Sequence, residues 1–220
     1  PVYVDVPNRR GRSALPYPQG EKGYFNFKTN EIYSKRPNIL YTGANDGILH
    51  GFDGNTGQER LAYIPSQVLD GRFNNRLNML SALNYQHRYF VDLSPAVEDV
   101  FIGPPTSEEE LSVGSSKPRD WHTLLLGGYG LGGKGFFALN ITDPTDFESG
   151  ASGDDLVFWE FTEKDDVYPV DSNGLAYVDV DRDLFFDFEI PPKPIKDLGY
   201  TTDRPFLAMS HIMGSSGERE

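Results

Sequence analysis

From Asn38 to Ile64 the chain alternates short apolar runs with turn formers. ILYTG meets Asn45-Asp46-Gly47, ILHGFD meets Gly54-Asn55-Thr56-Gly57, and ERLAYI closes the series. Asn/Asp-Gly turns between β-prone runs predict strands joined as hairpins. Val2-YVDV supplies a fourth strand, and the Pro-, Arg- and Gly-rich segment 7–36 reads as a loop inserted before the second. The pattern then repeats: Ser94-PAVEDVFIG, Trp121-HTLLLGG, Lys134-GFFALNIT and Leu156-VFWEF are four further strands. In register, Gly51-Phe52-Asp53 lies over Ala138-Leu139-Asn140, and Leu61-Ala62-Tyr63 over Trp159-Glu160-Phe161. Four antiparallel strands per repeat is the unit of a β-propeller blade. A third unit starts at Leu198-GYTTDRPFLAMSH.

The predicted fold class is therefore all-β, with β-propeller-like four-stranded antiparallel blades, an incomplete propeller, and short helices between blades. Blade 1 spans about 1–65 with its inserted loop 7–36, and connecting helices span 66–86. Blade 2 spans about 88–162, an acidic insert 163–197, and the start of the next blade 198–220. In the connection, Phe73, Leu77, Leu80 and Leu83 recur at helical spacing. Ser66 is placed to cap the first piece and Gly71 splits the stretch into two short helices. An incomplete propeller leaves a bare edge strand, so residues 1–220 expressed alone are expected to be poorly soluble.

Composition sharpens this picture. Gly (23) and Pro (16) are numerous and aromatics make up 13%, which suits short strands and tight turns. The net charge of −13 argues against nucleic acid as partner, since a phosphate backbone needs a basic surface. No apolar run approaches a membrane span, and Pro1-VYVDVPNRR does not read as a signal peptide. The chain reads as a fragment of something longer. With no Cys, disulfides, Cys-ligated zinc and thiol catalysis are all excluded.

LLLGGYGLGGKGFFALNITDP, from Leu124 to Pro144, holds two nucleotide-like spacings. Gly128-YGLG-Gly133-Lys134 follows the P-loop up to its last position, where Gly135 replaces Ser or Thr. Gly130-x-Gly132-x-x-Gly135 matches the dinucleotide fingerprint. Both motifs need a helix directly after the glycines, to offer its N–H groups to phosphate. FFALNITDP reads instead as a strand, so no nucleotide is expected. The glycines are expected to build a hairpin loop with positive φ and close strand approach.

The charge gathers in 162–197, with ten acids against four bases. In Tyr177-VDVDRDLFFDFEI, Asp179, Asp181, Asp183, Asp187 and Glu189 share one face of an extended segment. A DxDxD run supplies oxygens for calcium, so Asp179, Asp181, Asp183 and Asp187 are the candidate metal ligands. Against calcium, Leu184 and Ile190 stand where an EF-hand loop needs Gly and Glu. A solvated acidic face is favoured over calcium, and such a face also suits a basic partner. His50, His87, His122 and His211 show no metal-ligand spacing. No nucleophile elbow and no singled-out acid/base pair is present, so no catalytic residue is assigned. Asn140-Ile141-Thr142 matches the glycosylation sequon by chance composition.

Five segments in order carry a resemblance: Arg36-PNILYTGANDGILHGFD, His87-RYFVDLSPAVEDVFI, Trp121-HTLLLGGYGLGGKGFFALNITDP, Phe158-WEFT and Leu198-GYTTDRPFLA. Together they resemble the C-terminal β-propeller domain of the PilY family, bacterial type IV pilus biogenesis and tip proteins. The GANDGxLHxFD and RYFVDxSP segments are the specific ones. The resemblance implies a non-enzymatic assembly and adhesion protein at the extracellular pilus tip, reached through the periplasm and outer membrane. It implies minor pilins and a host or abiotic surface as partners, a role in twitching motility, and no integral membrane segment. The family's DxDxDG calcium loop has no counterpart with its Gly here, and the acidic insert departs from the family's short linker. Two alternatives stay open: a quinoprotein-dehydrogenase-like propeller enzyme, which DGxLHxFDxxTG echoes, and an outer-membrane assembly scaffold.

Overall fold

The computed structural model describes residues 1–8, 23–69, 77–102, 120–147, 153–162 and 205. Strands β1 (Val2–Val4), β2 (Ile39–Gly43), β3 (Leu49–Asp53) and β4 (Glu59–Tyr63) form one antiparallel sheet in chain order. Strands β5 (Ala96–Ile102), β6 (Asp120–Gly128), β7 (Gly135–Asn140) and β8 (Val157–Thr162) form a second with the same order. Each is an up-and-down meander, the build of a propeller blade. Among the described residues the two sheets do not close into a ring. No helix among the described residues is long and apolar enough to cross a membrane.

Local chemistry sets the turns. At the β2–β3 turn the Asp46 carboxylate accepts the Ile48 N–H at 3.0 Å, while the Ala44 N–H donates to the Ile48 carbonyl. At the β3–β4 turn the Asp53 carboxylate accepts the amides of Asn55 and Thr56 at 3.0 and 2.9 Å. Those two backbone donors hold the Asp53 carboxyl below its usual range.

The internal repeat extends to a shared irregularity. Tyr41 pairs with Gly51 and Gly51 with Leu61; in the second sheet Leu126 pairs with Ala138 and Ala138 with Trp159. The register then slips between Gly51 and Phe52, and between Ala138 and Leu139. The superposition expected from sequence thus holds residue for residue, down to a β-bulge at one position of the repeat.

The core lies between the sheets. Ile39, Tyr41, Leu49, Leu61 and Tyr63 of the first join Leu125, Phe137 and Leu139 of the second in one cluster. The rings of Tyr63 and Phe137 are 5.3 Å apart across the interface. Burying each such side chain contributes about 1.5–3 kcal/mol.

Two expectations need correction. From residue 23 onward, the segment read as an inserted loop is a packed element. It holds helix α1 (Tyr24–Thr29) and a 3-10 turn over Tyr33–Lys35. Phe27 is buried, and the rings of Tyr24 and Phe27 lie 4.8 and 6.0 Å from that of Trp121. Four aromatics, Tyr24, Phe25, Phe27 and Tyr33, in a Pro- and Gly-rich stretch were the overlooked signal. Between the sheets, two short helical pieces form as expected, α2 (Ser66–Leu69) and a 3-10 turn over Leu77–Ser81. Ser66, however, is the first helical residue and not the cap. Leu83 is fully exposed because the helical turn stops at Ser81, which ends the stripe that Leu77 and Leu80 press on the core.

Helix α3 (Gly153–Leu156) precedes β8 and was not anticipated. The acidic insert 163–197, with Asp179, Asp181, Asp183 and Asp187, lies outside the described residues, as do the segment from Leu198 on (205 apart), His211 and Phe73.

Candidate functional site: the junction between the sheets

The two segments that carry the resemblance most specifically meet the glycine stretch at one place. β6 runs into Tyr129 and a 3-10 turn, Gly130–Gly132, before β7 leaves in the opposite direction. Residues 90–93 cross between this loop and the β2–β3 turn. The Phe90 N–H donates to the Asn45 side-chain oxygen at 3.1 Å, and the Val91 N–H to the Ala44 carbonyl at 3.3 Å. On the other side the Asp92 N–H donates to the Tyr129 carbonyl at 3.3 Å. Phe90 and Val91 are buried at the crossing, so these amides had to find partners inside the protein.

The glycines make room for that crossing. A Cβ on Gly132 would stand 2.0 Å from the Phe90 carbonyl oxygen, and one on Gly43 2.4 Å from that of Val91. Gly130 has φ of +58°, where other residues are strained. The loop is thus the glycine-rich hairpin connection expected from sequence, and a strand follows it.

Polar ties reinforce the junction. Arg36 is buried; its Nε donates to the Asp5 carbonyl at 2.8 Å, and Nη1 to Thr123 Oγ1 at 2.8 Å and the Thr142 carbonyl at 3.1 Å. Thr123 Oγ1 donates in turn to buried Asp99 at 2.6 Å, which also accepts the Tyr24 hydroxyl at 2.6 Å. Burial lowers the Arg36 pKa, and the Asp99 charge opposes this. On the far side, the Tyr63 hydroxyl donates to Glu160 of β8, which also accepts the Ser66 N–H at 3.1 Å. A carboxylate of one sheet therefore caps the helix that leaves the other. Burial, then Glu160, pushes the Tyr63 phenol upward, so it stays protonated.

Beside the junction lies a cleft of about 230 Å³. Tyr33, Trp121 and His122 form walls, and Asp120, Asp143 and Asp146 stand around it. Burial, followed by the three aspartates in that order, raises the Tyr33 pKa. Desolvation lowers that of His122 against the pull of Asp120 and Asn140, leaving a neutral imidazole at pH 7. An acid-rimmed, aromatic-walled cleft suits a cationic side chain better than an anion.

The other histidines separate. His87 lies in no strand, with its ring edge-on to Tyr89 at 5.1 Å. His50 sits in β3 between two carboxylates, Asp46 at 2.9 Å and Glu59 at 2.5 Å. Among the described residues no group of three or more His, Cys, Asp or Glu is arranged to hold a metal ion. Arg36, Asp99 and Glu160 escaped the sequence reading, because nothing local marks a charge that will be buried by a distant strand. A lone Arg before Pro37 and an acid inside the apolar run PAVEDVFI were the available hints.

A family model described as the PilY1 beta-propeller domain matches residues 13–195. The Type IV pilus biogenesis factor PilY1 of Pseudomonas aeruginosa strain UCBPP-PA14 is 32% identical over 197 residues, covering 88% of this chain and 12% of that protein. Its counterpart in strain PAO1 is 40% identical over 121 residues, covering 54% of this chain and 9% of the relative. A PilY1 homolog of Xylella fastidiosa strain Temecula1 is 34% identical over 145 residues, or 66% and 10% of the two chains. The crystal structure of the Pseudomonas aeruginosa PilY1 C-terminal domain aligns with a TM-score of 0.44 and 28% identity, over 80% of this chain and 27% of that one. The chain therefore spans only about a tenth of the length of these curated relatives.

Proposed function

The chain belongs to the PilY1 β-propeller family, and from that premise we propose that it supplies two blades of a type IV pilus biogenesis factor. The carrying observation is the family match over 13–195, which takes in strands β2 to β8 and the crossing between the two sheets. In this reading the propeller is a rigid, non-enzymatic scaffold. It works at the pilus tip with minor pilins, supports pilus extension and twitching, and attaches the cell to a surface. Rigid scaffolds act through the segments they carry. Here those are the insert 7–36, residues 104–119 and the acidic insert 163–197, with the acid-rimmed cleft beside the first. The physical fit is to a partner with basic side chains, given the net charge of −13. Calcium at Asp179, Asp181, Asp183 and Asp187 remains a proposal of the same kind, tested by calcium titration of the full-length protein with and without those four side chains.

The deciding experiment is gold labelling of the full-length protein on sheared, purified pili. Label at fibre ends supports the tip reading. Label absent from pili, with the protein soluble in the periplasm, overturns it and directs attention to a quinone-dependent activity assay.

A further inference from the structure

His50 stands out because both of its ring nitrogens meet carboxylates. Nδ1 lies 2.5 Å from Glu59 Oε1, on the neighbouring strand β4, and Nε2 lies 2.9 Å from Asp46 Oδ2, in the β2–β3 turn. A neutral imidazole has one N–H and one lone pair, so it can donate to only one of two carboxylate acceptors. The other nitrogen would then present its lone pair to an anionic oxygen. Only the imidazolium, with a donor on each nitrogen, satisfies both contacts. The ring also stacks on Phe52 at 5.5 Å and 12°, an arrangement that favours a cation over the aromatic face.

We propose that His50, Asp46 and Glu59 form a proton-dependent clamp that fastens the β2–β3 turn to β4, and through that turn the crossing between the two sheets. The connection to the crossing is direct. Asn45, adjacent to Asp46, accepts the Phe90 amide, and Ala44 accepts that of Val91. When His50 loses its proton, one carboxylate contact becomes repulsive, the turn is released on that side, and the hold on residues 90–91 weakens.

The groups around His50 set the direction. Its side chain is mostly covered, which disfavours the charge; the hydrogen bonds and fields of Glu59 and Asp46 outweigh this and raise its pKa above the ordinary imidazole value. Asp46 and Glu59 are the charged groups acting on it, and its cross-strand neighbours Thr42 and Ala62 carry no charge. A folded-state pKa above the unfolded one means that the clamp's contribution is complete below about pH 6.5. It is lost as pH rises through the folded value.

Amide hydrogen exchange of the full-length protein between pH 6 and 8.5, corrected for the intrinsic pH dependence of exchange, tests the clamp. Protection in peptides covering 42–63 and 86–95 is expected to fall several-fold across that range, while 120–140, on the second sheet, holds steady. H50Q should start at the lower protection and lose the pH dependence. E59Q, which leaves the fold and the ring in place but removes one anion, should flatten the profile in part. A wild-type profile that is flat, or one that H50Q and E59Q reproduce in parallel with wild type, overturns the proposal. The result does not depend on where on the pilus the protein resides.

Discussion

The two sheets share one topology and one bulge, yet they meet their surroundings differently. In the first, Ile39, Tyr41, Leu49 and Leu61 face the core while Tyr3 and Leu40 face outward. In the second, β6 is buried on both faces from Thr123 to Gly128. An alternating strand can be read by its period; a doubly buried one reads as a bare apolar run, LLLGG, that periodicity cannot distinguish from a helix segment. The comparison teaches that the glycines do different work in each sheet. In the first, Gly47 and Gly57 serve turns, Gly51 packs at the bulge, and Gly43 at the end of β2 abuts the crossing. At the end of β6 they let another stretch of backbone pass.

The sharpest way to break that contrast is to add one methyl group in each place. Gly132→Ala would force a Cβ to within 2.0 Å of a backbone oxygen that cannot swing aside. It should cost more than about 3 kcal/mol and leave little folded protein. Gly57→Ala, in the β3–β4 turn, meets nothing within 4 Å and suffers only from its φ of +74°. Its cost should be about 1 kcal/mol. Thermal and denaturant melts of the full-length protein separate the two, and equal losses would show that the crossing is not tight.

Arg36 comes next, because it belongs to neither sheet's own hydrogen bonding and joins both. Arg36→Ala removes three donated hydrogen bonds and leaves Thr123 and buried Asp99 without the cation beside them. A loss of about 3 kcal/mol is expected. Exchange should rise first at β1 and at residues 120–124, where Arg36 bridges. If only one sheet loosens, Arg36 is an ornament of that sheet and not a tie.

How much of this was legible in the sequence follows from the same contrast. Strands β2 to β4 and their turns announced themselves through Asn45-Asp46-Gly47 and the alternation around it. Strands β6 and β7 were found because the repeat could be laid over the first. The bulge at Gly51 and Ala138 could not be foreseen from either half alone, since it is a property of pairing with β4 and β8. Helix α1 was missed because Pro and Gly nearby outweighed Tyr24 and Phe27, which pack against Trp121, almost a hundred residues away. Arg36 and Glu160 look like surface charges until a distant strand encloses them. The glycine loop was legible as a strand connection, but its reason, the passage of Phe90 and Val91, is tertiary.

Position 41 offers a finer comparison, since the repeat places Tyr41 with Gly51 in one sheet and Leu126 with Ala138 in the other. A Cβ on Gly51 would lie 3.0 Å from the Tyr41 ring and 3.1 Å from Leu61 Cβ. Gly51→Ala alone should cost about 1–3 kcal/mol by overpacking, and Tyr41→Leu alone about as much by leaving a void. Together they recreate the second sheet's pair, and the double variant should recover about 1 kcal/mol relative to the sum. Strict additivity would mean that Leu61, and not Tyr41, sets the space at the bulge.

The smallest effect should come from taking away a single oxygen. The Tyr41 side chain is fully buried, and among the described residues its hydroxyl has no hydrogen-bond partner. Burial raises its pKa while the Arg36 charge pulls the other way, so the phenol is neutral at any ordinary pH. Tyr41→Phe keeps the ring that crowds Gly51 and deletes an oxygen that was stripped of water without recompense. Removing an unsatisfied buried hydroxyl should be neutral or stabilising, by up to about 1 kcal/mol. Its midpoint in a denaturant melt should therefore match or exceed that of the parent. A loss of comparable size would mean that the hydroxyl is bonded after all, by a water or by chain beyond the described residues. The first sheet would then keep a polar contact at the very position where the second has only Leu126.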